Sequence, residues 1–191
     1  MAPNLNLLLG VSGGVAAYKA VDLASRLTAA GVAVKTVMTE NACHLVTPRS
    51  FEAVTANPVY TNLWTSGQDH DIEHIGLVAW ADMVVVAPAT ANCLGKIAAG
   101  VCDDLLSTVL CVCWQKPVLL APAMNNQMWS NPIVQRNVKT VTELGFKVVG
   151  PEQGRLACGD IGMGRMAEPA RIVEAVTEMA RHLKTQGSEP C

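Results

Sequence analysis

Short continuous apolar runs alternate with longer stretches of helical period along most of this chain. Leu5 to Leu9 is an apolar run of strand length, and Gly10-Val-Ser-Gly-Gly14 directly after it is a tight turn. From Val15 to Ala30 the apolar residues Ala20, Leu23, Ala24 and Leu27 recur at helical spacing and share one face. Gly31 stands where a glycine ends such a helix. Val32 to Met38 reads as the next strand and closes a β-α-β unit.

The alternation continues. Thr47-Pro48 reads as an N-cap with proline at the first helical position. Asp82 to Ala87 is a strand whose unbroken apolar run suits a parallel sheet covered on both faces. Asn92 to Ala99 and Asp103 to Val112 read as helices, the first ended by Gly100. Val118 to Ala121 is a strand, and Asn131-Pro132 starts a helix that Gly145 terminates. Phe146 to Val149 is a further strand, and Pro169 opens a last helix to about Leu183. This order predicts an α/β fold: a doubly wound, flavodoxin/Rossmann-like parallel sheet in three α/β/α layers. One domain over residues 1–184 is expected, with a disordered tail at 185–191.

Composition narrows the class. Of 191 residues, 50% are hydrophobic and 16% charged, which suits a soluble chain with a large core. Apolar runs such as Met83 to Ala87 fall far short of the ~20 residues that cross a bilayer. No secretory signal pattern precedes the first strand. The net charge of −2 and the lack of a Lys/Arg cluster argue against a nucleic-acid surface. Seven scattered cysteines are not a disulfide framework, and no C-x-x-C pair suggests a structural zinc. Cys111 and Cys113 lie in an apolar run, where buried free thiols are common. A reducing, cytoplasmic setting is expected.

Ligands of doubly wound sheets bind at the carboxyl ends of the strands, so the turns there carry the candidate chemistry. The Gly10 to Gly14 turn lets backbone N–H groups approach a phosphate at the positive end of a helix. Its glycine spacing is not G-x-G-x-x-G and no P-loop Lys-Ser/Thr follows, so a mononucleotide such as FMN fits better than NAD or ATP. The plain alternative is glycine serving a tight turn. After the Asp82 strand, Val86-Ala-Pro-Ala-Thr-Ala-Asn92 places Thr90 and Asn92 where they can serve a phosphate, a flavin edge or merely a helix cap. After the Val118 strand, Ala121-Pro-Ala-Met-Asn-Asn-Gln-Met-Trp129 brings Asn125 to the same sheet edge. A neutral amide there can hold a substrate carboxylate without the full counter-charge that would stabilise a group about to be lost. Met124, Met128 and Trp129 read as packing residues.

His74 follows a polar loop, and a histidine there is a candidate acid/base or orienting group. His70 lies four residues earlier, but H-E-x-x-H is absent and no third ligand stands out, so no metal is expected. His44 and His182 read as surface residues. The segment from Gly154 to Met166 is too glycine-rich for a helix or strand and reads as a mobile loop presenting Cys158, either a surface loop with an incidental cysteine or, from its length and its charges Asp160 and Arg165, a lid over a ligand.

Together these segments resemble the flavin-containing cysteine decarboxylase family, and within it the branch acting on 4'-phosphopantothenoylcysteine. The resemblance runs from about Leu5 to Leu183. Gly13-Gly14-Val15 is similar to the family's FMN-phosphate turn. Pro88-Ala-Thr-Ala-Asn-Cys93 is similar to its P-A-S-A-N-T flavin turn, with Thr90 for serine and Cys93 for threonine. Pro122-Ala-Met-Asn-x-x-Met128 is similar to its substrate-recognition motif, and Ala157-Cys-Gly-Asp-x-Gly-x-Gly-Arg-Met166 to its substrate clamp. The weak hydrogen bonding of a thiol leaves the flavin contact of Cys93 open.

The resemblance implies FMN contacts from Ser12, Gly13, Gly14, Val15, Thr39, Asn41, Thr90, Ala91, Asn92, Cys93 and Ala123. It implies substrate contacts from Asn125, Met128, Arg155, Leu156 and Ala157, and catalysis by His74, Asn125 and Cys158. The implied reaction oxidises the substrate thiol to a thioaldehyde, which then accepts the electrons released with CO₂. The resulting enethiol is reduced to 4'-phosphopantetheine, with Cys158 as proton donor, on the route to coenzyme A. A homotrimer or a homododecamer built from trimers is implied, with FMN between subunits and His74 serving a neighbour. Many members carry a further synthetase domain, so this chain is expected to be either a stand-alone decarboxylase or part of such a fusion.

Rival readings stay open. A peptidyl-cysteine oxidative decarboxylase would share FMN, His74 and Asn125, although the Cys158 clamp favours the reductive branch. A flavin prenyltransferase would not be expected to pair the Asn125 motif with this clamp. A non-catalytic flavin-binding regulatory subunit would be expected to carry acidic extensions. For an NAD dehydrogenase, only Glu40 near the end of the second strand speaks.

Overall fold

In a computed structural model that describes residues 5–64, 73–157 and 159–186, the strands assemble as the apolar runs predict. The chain order is β1 (Asn6–Val11), α1 (Ala17–Ala29), β2 (Ala33–Met38), α2 (Glu40–Cys43), α3 (Pro48–Thr55) and β3 (Val59–Tyr60). There follow α4 (Glu73–Trp80), β4 (Met83–Ala89), α5 (Ala91–Ala99), α6 (Leu105–Val112) and β5 (Val118–Pro122). The remainder is α7 (Asn126–Ser130), α8 (Pro132–Glu143), β6 (Lys147–Val148), β7 (Glu152–Arg155), β8 (Ile161–Arg165) and α9 (Pro169–Gln186).

Six strands form one parallel sheet in the order β3-β2-β1-β4-β5-β6, with Leu7 opposite Met83 and Leu9 opposite Val85. Every residue of β4 is buried, as a central parallel strand requires. Alternate side chains feed two cores. Leu7, Leu9, Met83 and Val85 pack under Leu23 and Leu27 of α1, Phe51 of α3, and Ile172 and Val176 of α9. Leu8, Val84, Val86 and Leu120 pack under Leu77 of α4, Leu94 of α5, Leu106 and Leu110 of α6, and Val141 of α8. Each such fully buried leucine stabilises the fold by about 1.5–3 kcal/mol. The expected three-layer α/β/α arrangement follows, and β1 and β4 flank the point where the strand order reverses. Among the described residues, no helix is long and apolar enough to cross a membrane.

The predicted stops hold where a left-handed residue is needed: Gly100 (φ 68°) caps α5 and Gly145 (φ 93°) follows α8. Three readings change. The glycine-rich segment expected to be a mobile loop is an antiparallel β7–β8 hairpin, with Gly154 opposite Gly162 and Arg155 opposite Ile161. Glycine carries no side chain to display a period of two, so the pattern was silent there although the backbone ladder forms. Cys113 is buried, but Cys111 on α6 is exposed. The last helix extends past Leu183 to Gln186. Cys158, His70 and residues 187–191 of the expected tail lie outside the described residues.

Candidate active site

The carboxyl ends of β1, β2, β4 and β5 open into one cavity of about 1130 Å³. Its wall brings together Ser12 to Val15, Thr39, Asn41, Thr90 to Cys93, Ala123, Asn125, Met128 and Arg155 to Ala157. Residues far apart in sequence meet because parallel strands all point the same way, so every turn after a strand reaches the same edge.

The first turn is built to receive an anion. Ser12 is buried and holds the two central turns together: its hydroxyl donates to the Pro88 carbonyl (2.8 Å) and accepts from the Thr90 N–H (3.0 Å). Gly14 N–H donates to the Ser12 carbonyl at 2.8 Å, whereas those of Gly13, Val15 and Ala16 have no acceptor among the described residues. Those N–H groups open α1, where the helix dipole favours negative charge. Gly13 is required by space, since a Cβ there would lie 2.3 Å from Asn41 Cβ. Spare donors, a helix N-terminus and a glycine pressed on the next turn fit a nucleotide phosphate.

The other turns are capped. Thr39 accepts from Ala42 N–H at 3.2 Å to start α2, and Thr90 accepts from Cys93 N–H at 3.3 Å to start α5. Burial, with the charge of Asp104 next, pushes the Cys93 thiol up to about 12, so it stays protonated and offers only a weak hydrogen bond. Asn125 caps α7 by accepting from Gln127 N–H at 2.8 Å. That cap uses Oδ1, the acceptor of the amide.

The hairpin roofs this edge. Met124 N–H donates to the Gly164 carbonyl at 2.9 Å, and a Cβ on Gly164 would fall 2.2 Å from the Met124 carbonyl oxygen. Glu168, just after β8, accepts from Lys19 of α1 (2.9 Å) and from Arg165. Hydrogen bonding from Lys19, the largest influence, holds its carboxyl below the usual range against burial, and Arg165 adds to the lowering. Lys19 and Arg165 both line the cavity, so Glu168 ties the roof to the wall. Sequence reasoning missed this link, and it missed Lys96, whose Nζ lies 2.6 Å from both Asp103 and Asp104 at the cavity edge. The run Asp103-Asp104 four residues after the α5 terminus was the available signal.

His74 stands on the first turn of α4, half-buried, and does not line the cavity of its own chain. Among the described residues, no group of three or more His, Cys, Asp or Glu is placed to hold a metal.

A reversed strand order with a donor-rich glycine turn at the reversal defines a mononucleotide-binding α/β protein. The chain belongs to the flavoprotein family, whose model matches residues 1–181. It is similar to the coenzyme A biosynthesis bifunctional protein CoaBC of Bacillus subtilis (strain 168), 44% identical over 190 residues. That match covers 100% of this chain and 46% of the relative, so the chain spans about half the length of such proteins. Among solved structures it is similar to a PPC decarboxylase mutant complexed with pantothenoylaminoethenethiol, with a TM-score of 0.85 and 37% identity over 93% of this chain and 99% of that one. The FMN binding protein AtHal3 gives a TM-score of 0.79 with 37% identity, over 92% and 96%.

Proposed function

We propose that this chain is an FMN-dependent decarboxylase that converts 4'-phosphopantothenoylcysteine to 4'-phosphopantetheine in coenzyme A biosynthesis. The observation that carries this is one cavity holding both the donor-rich turn of Ser12 to Val15 and the Asn125 turn under the hairpin. The relatives' names agree with it. When bound, FMN supplies the electron sink that no side chain provides.

The residues divide the remaining work. Gly13, Val15 and Ala16 N–H groups hold the FMN phosphate, with Asn41 closing over them. Thr90 to Cys93 and Ala123 line the flavin. The Asn125 amide donates to the substrate carboxylate and orients it for loss without a cation to stabilise it. Arg155, Leu156 and Ala157 cover the substrate and exclude water, and Met128 packs beside it. Cys158 protonates the product. His74 assists the oxidation and decarboxylation steps in a neighbouring subunit of a trimer or assembly of trimers, which is consistent with its place off its own cavity. The enzyme works in the cytoplasm.

The test is an absorbance spectrum of the purified protein, then anaerobic addition of the substrate with mass detection. Flavin absorbance and a thiol product lighter by one CO₂ are expected. Flavin without turnover, or turnover that stops at an oxidised enethiol, would overturn this reading in favour of a regulatory or peptide-modifying flavoprotein.

A further inference from the structure

Apart from the half-buried Cys43, the described cysteines fall into two kinds. Cys93 and Cys113 are buried, and burial pushes each thiol up to about 12, so both stay protonated at neutral pH. Cys102 and Cys111 are both exposed, and both stand beside Gly100. Packing does not account for this pair, because a small apolar side chain gains little by sitting in water.

Local geometry brings the two together. Gly100 ends α5 in the left-handed conformation, and Val101 N–H turns back to donate to the Lys96 carbonyl at 2.9 Å. That reversal sets Gly100 and Val101 beside α6, where they share the wall of a smaller cavity of about 360 Å³ with Cys111 and Trp114. The Cys102 thiol sits at the same place, 3.6 Å from the Gly100 carbonyl. Most of α6 separates Cys102 from Cys111 in sequence, yet both thiols border Gly100.

We propose that Cys102 and Cys111 form a surface dithiol that low-molecular-weight disulfides of the glutathione class oxidise reversibly to an intramolecular disulfide. The Cys111 thiolate attacks one sulfur of the small disulfide, forming a mixed disulfide and releasing one thiolate. Cys102 then loses its proton to solvent and attacks the Cys111 sulfur, expelling the second thiolate. The protein gives up two hydrogens, and the small disulfide becomes two thiols. Cys102 is the resolving thiol, because its small burial, the neighbouring Cys111 and the nearby Asp103 and Asp104 charges hold it above its ordinary value. The closed loop contains Asp103 and Asp104, so the crosslink clasps the cap of α6 and the carboxylates that hold Lys96.

The experiment incubates the full chain with oxidised glutathione, blocks remaining thiols by alkylation after unfolding, and maps peptides by mass. Trypsin leaves Cys102, Cys111 and Cys113 on one peptide, so fragmentation places the link. A peptide lighter by two hydrogens, linked Cys102 to Cys111 and restored by dithiothreitol, is expected. Cys102→Ser is expected to trap a glutathione adduct on Cys111. Separate alkylation of Cys102 and Cys111 in the oxidised wild type, or a link from either to any other cysteine, would overturn the proposal. The readout needs neither FMN nor turnover, so it is independent of the proposed function.

Discussion

The Ser12 hydroxyl lies 3.0 Å from both the backbone nitrogen and the Oγ1 of Thr90, joining two turns that are 78 residues apart in the chain. Because Ser12 follows β1 and Thr90 follows β4, this contact sits at the strand-order reversal and sets the spacing of the cavity's two central walls.

Ser12→Ala leaves the Thr90 N–H without its acceptor in a half-buried turn at the cavity wall. An unsatisfied buried donor costs about 1–3 kcal/mol. Thermal unfolding is expected to show that loss, together with weaker FMN retention on gel filtration. Unchanged stability would mean the turns are held by other contacts.

Gly13→Ala is expected to abolish FMN binding, because its Cβ would collide with Asn41 at 2.3 Å, backbone as well as side chain. Gly95→Ala within α5 is the control. Its Cβ meets only Asn137 Nδ2 at an ordinary 3.5 Å, and helix propensity predicts a gain of about 0.5–1 kcal/mol. Flavin absorbance and melting temperature of the two variants separate the effects.

Glu168 links roof and wall, and its lowered pKa fixes the sign of its pH dependence. The folded carboxyl titrates below the ordinary value of 4.5, so its stabilisation is present above that pH and lost as pH falls through the folded value. The carboxylate is partly solvated, which limits the contribution to about 0.5–1 kcal/mol. Glu168→Gln is expected to lower stability at pH 7 by that amount and to flatten the acid limb. Faster hydrogen exchange in the β7–β8 amides is the structural readout, and unaltered exchange would separate Glu168 from the hairpin.

Asn125→Asp keeps shape and cap but sets a negative charge against the substrate carboxylate. Turnover is expected to fall by at least a hundredfold, about 2.7 kcal/mol in the barrier, while bound FMN is unchanged. Turnover within tenfold of wild type would remove the carboxylate contact.

His74→Asn, like Asn125→Asp, is expected to lose at least a hundredfold in turnover alone, but co-expression of the two is expected to restore a fraction of the sites if His74 serves a neighbouring subunit. No recovery in mixed assemblies that still form and bind FMN would place the action of His74 within its own chain.

Much of this was readable before any coordinates, and for identifiable reasons. Unbroken apolar runs such as Met83 to Ala87, short, β-branched and bounded by turn residues, read as strands covered on both sides, and Gly100 and Gly145 stop helices because their φ is left-handed. These are local properties, set by the chemistry of a few neighbouring residues, and so are the turns at Ser12 to Val15, Thr90 and Asn125. Tertiary structure alone decided the rest. The glycines of the hairpin show no period, and its docking depends on Gly164 fitting against the Met124 carbonyl, a contact between segments. Glu168 with Lys19, Lys96 with Asp103 and Asp104, and Cys102 with Cys111 are pairings across elements, invisible until the sheet fixes how helices lie on it. The chemistry of His74 marks it as a candidate, but only the fold shows that it stands on α4 and does not line the cavity of its own chain, because position in space follows strand order and not residue type.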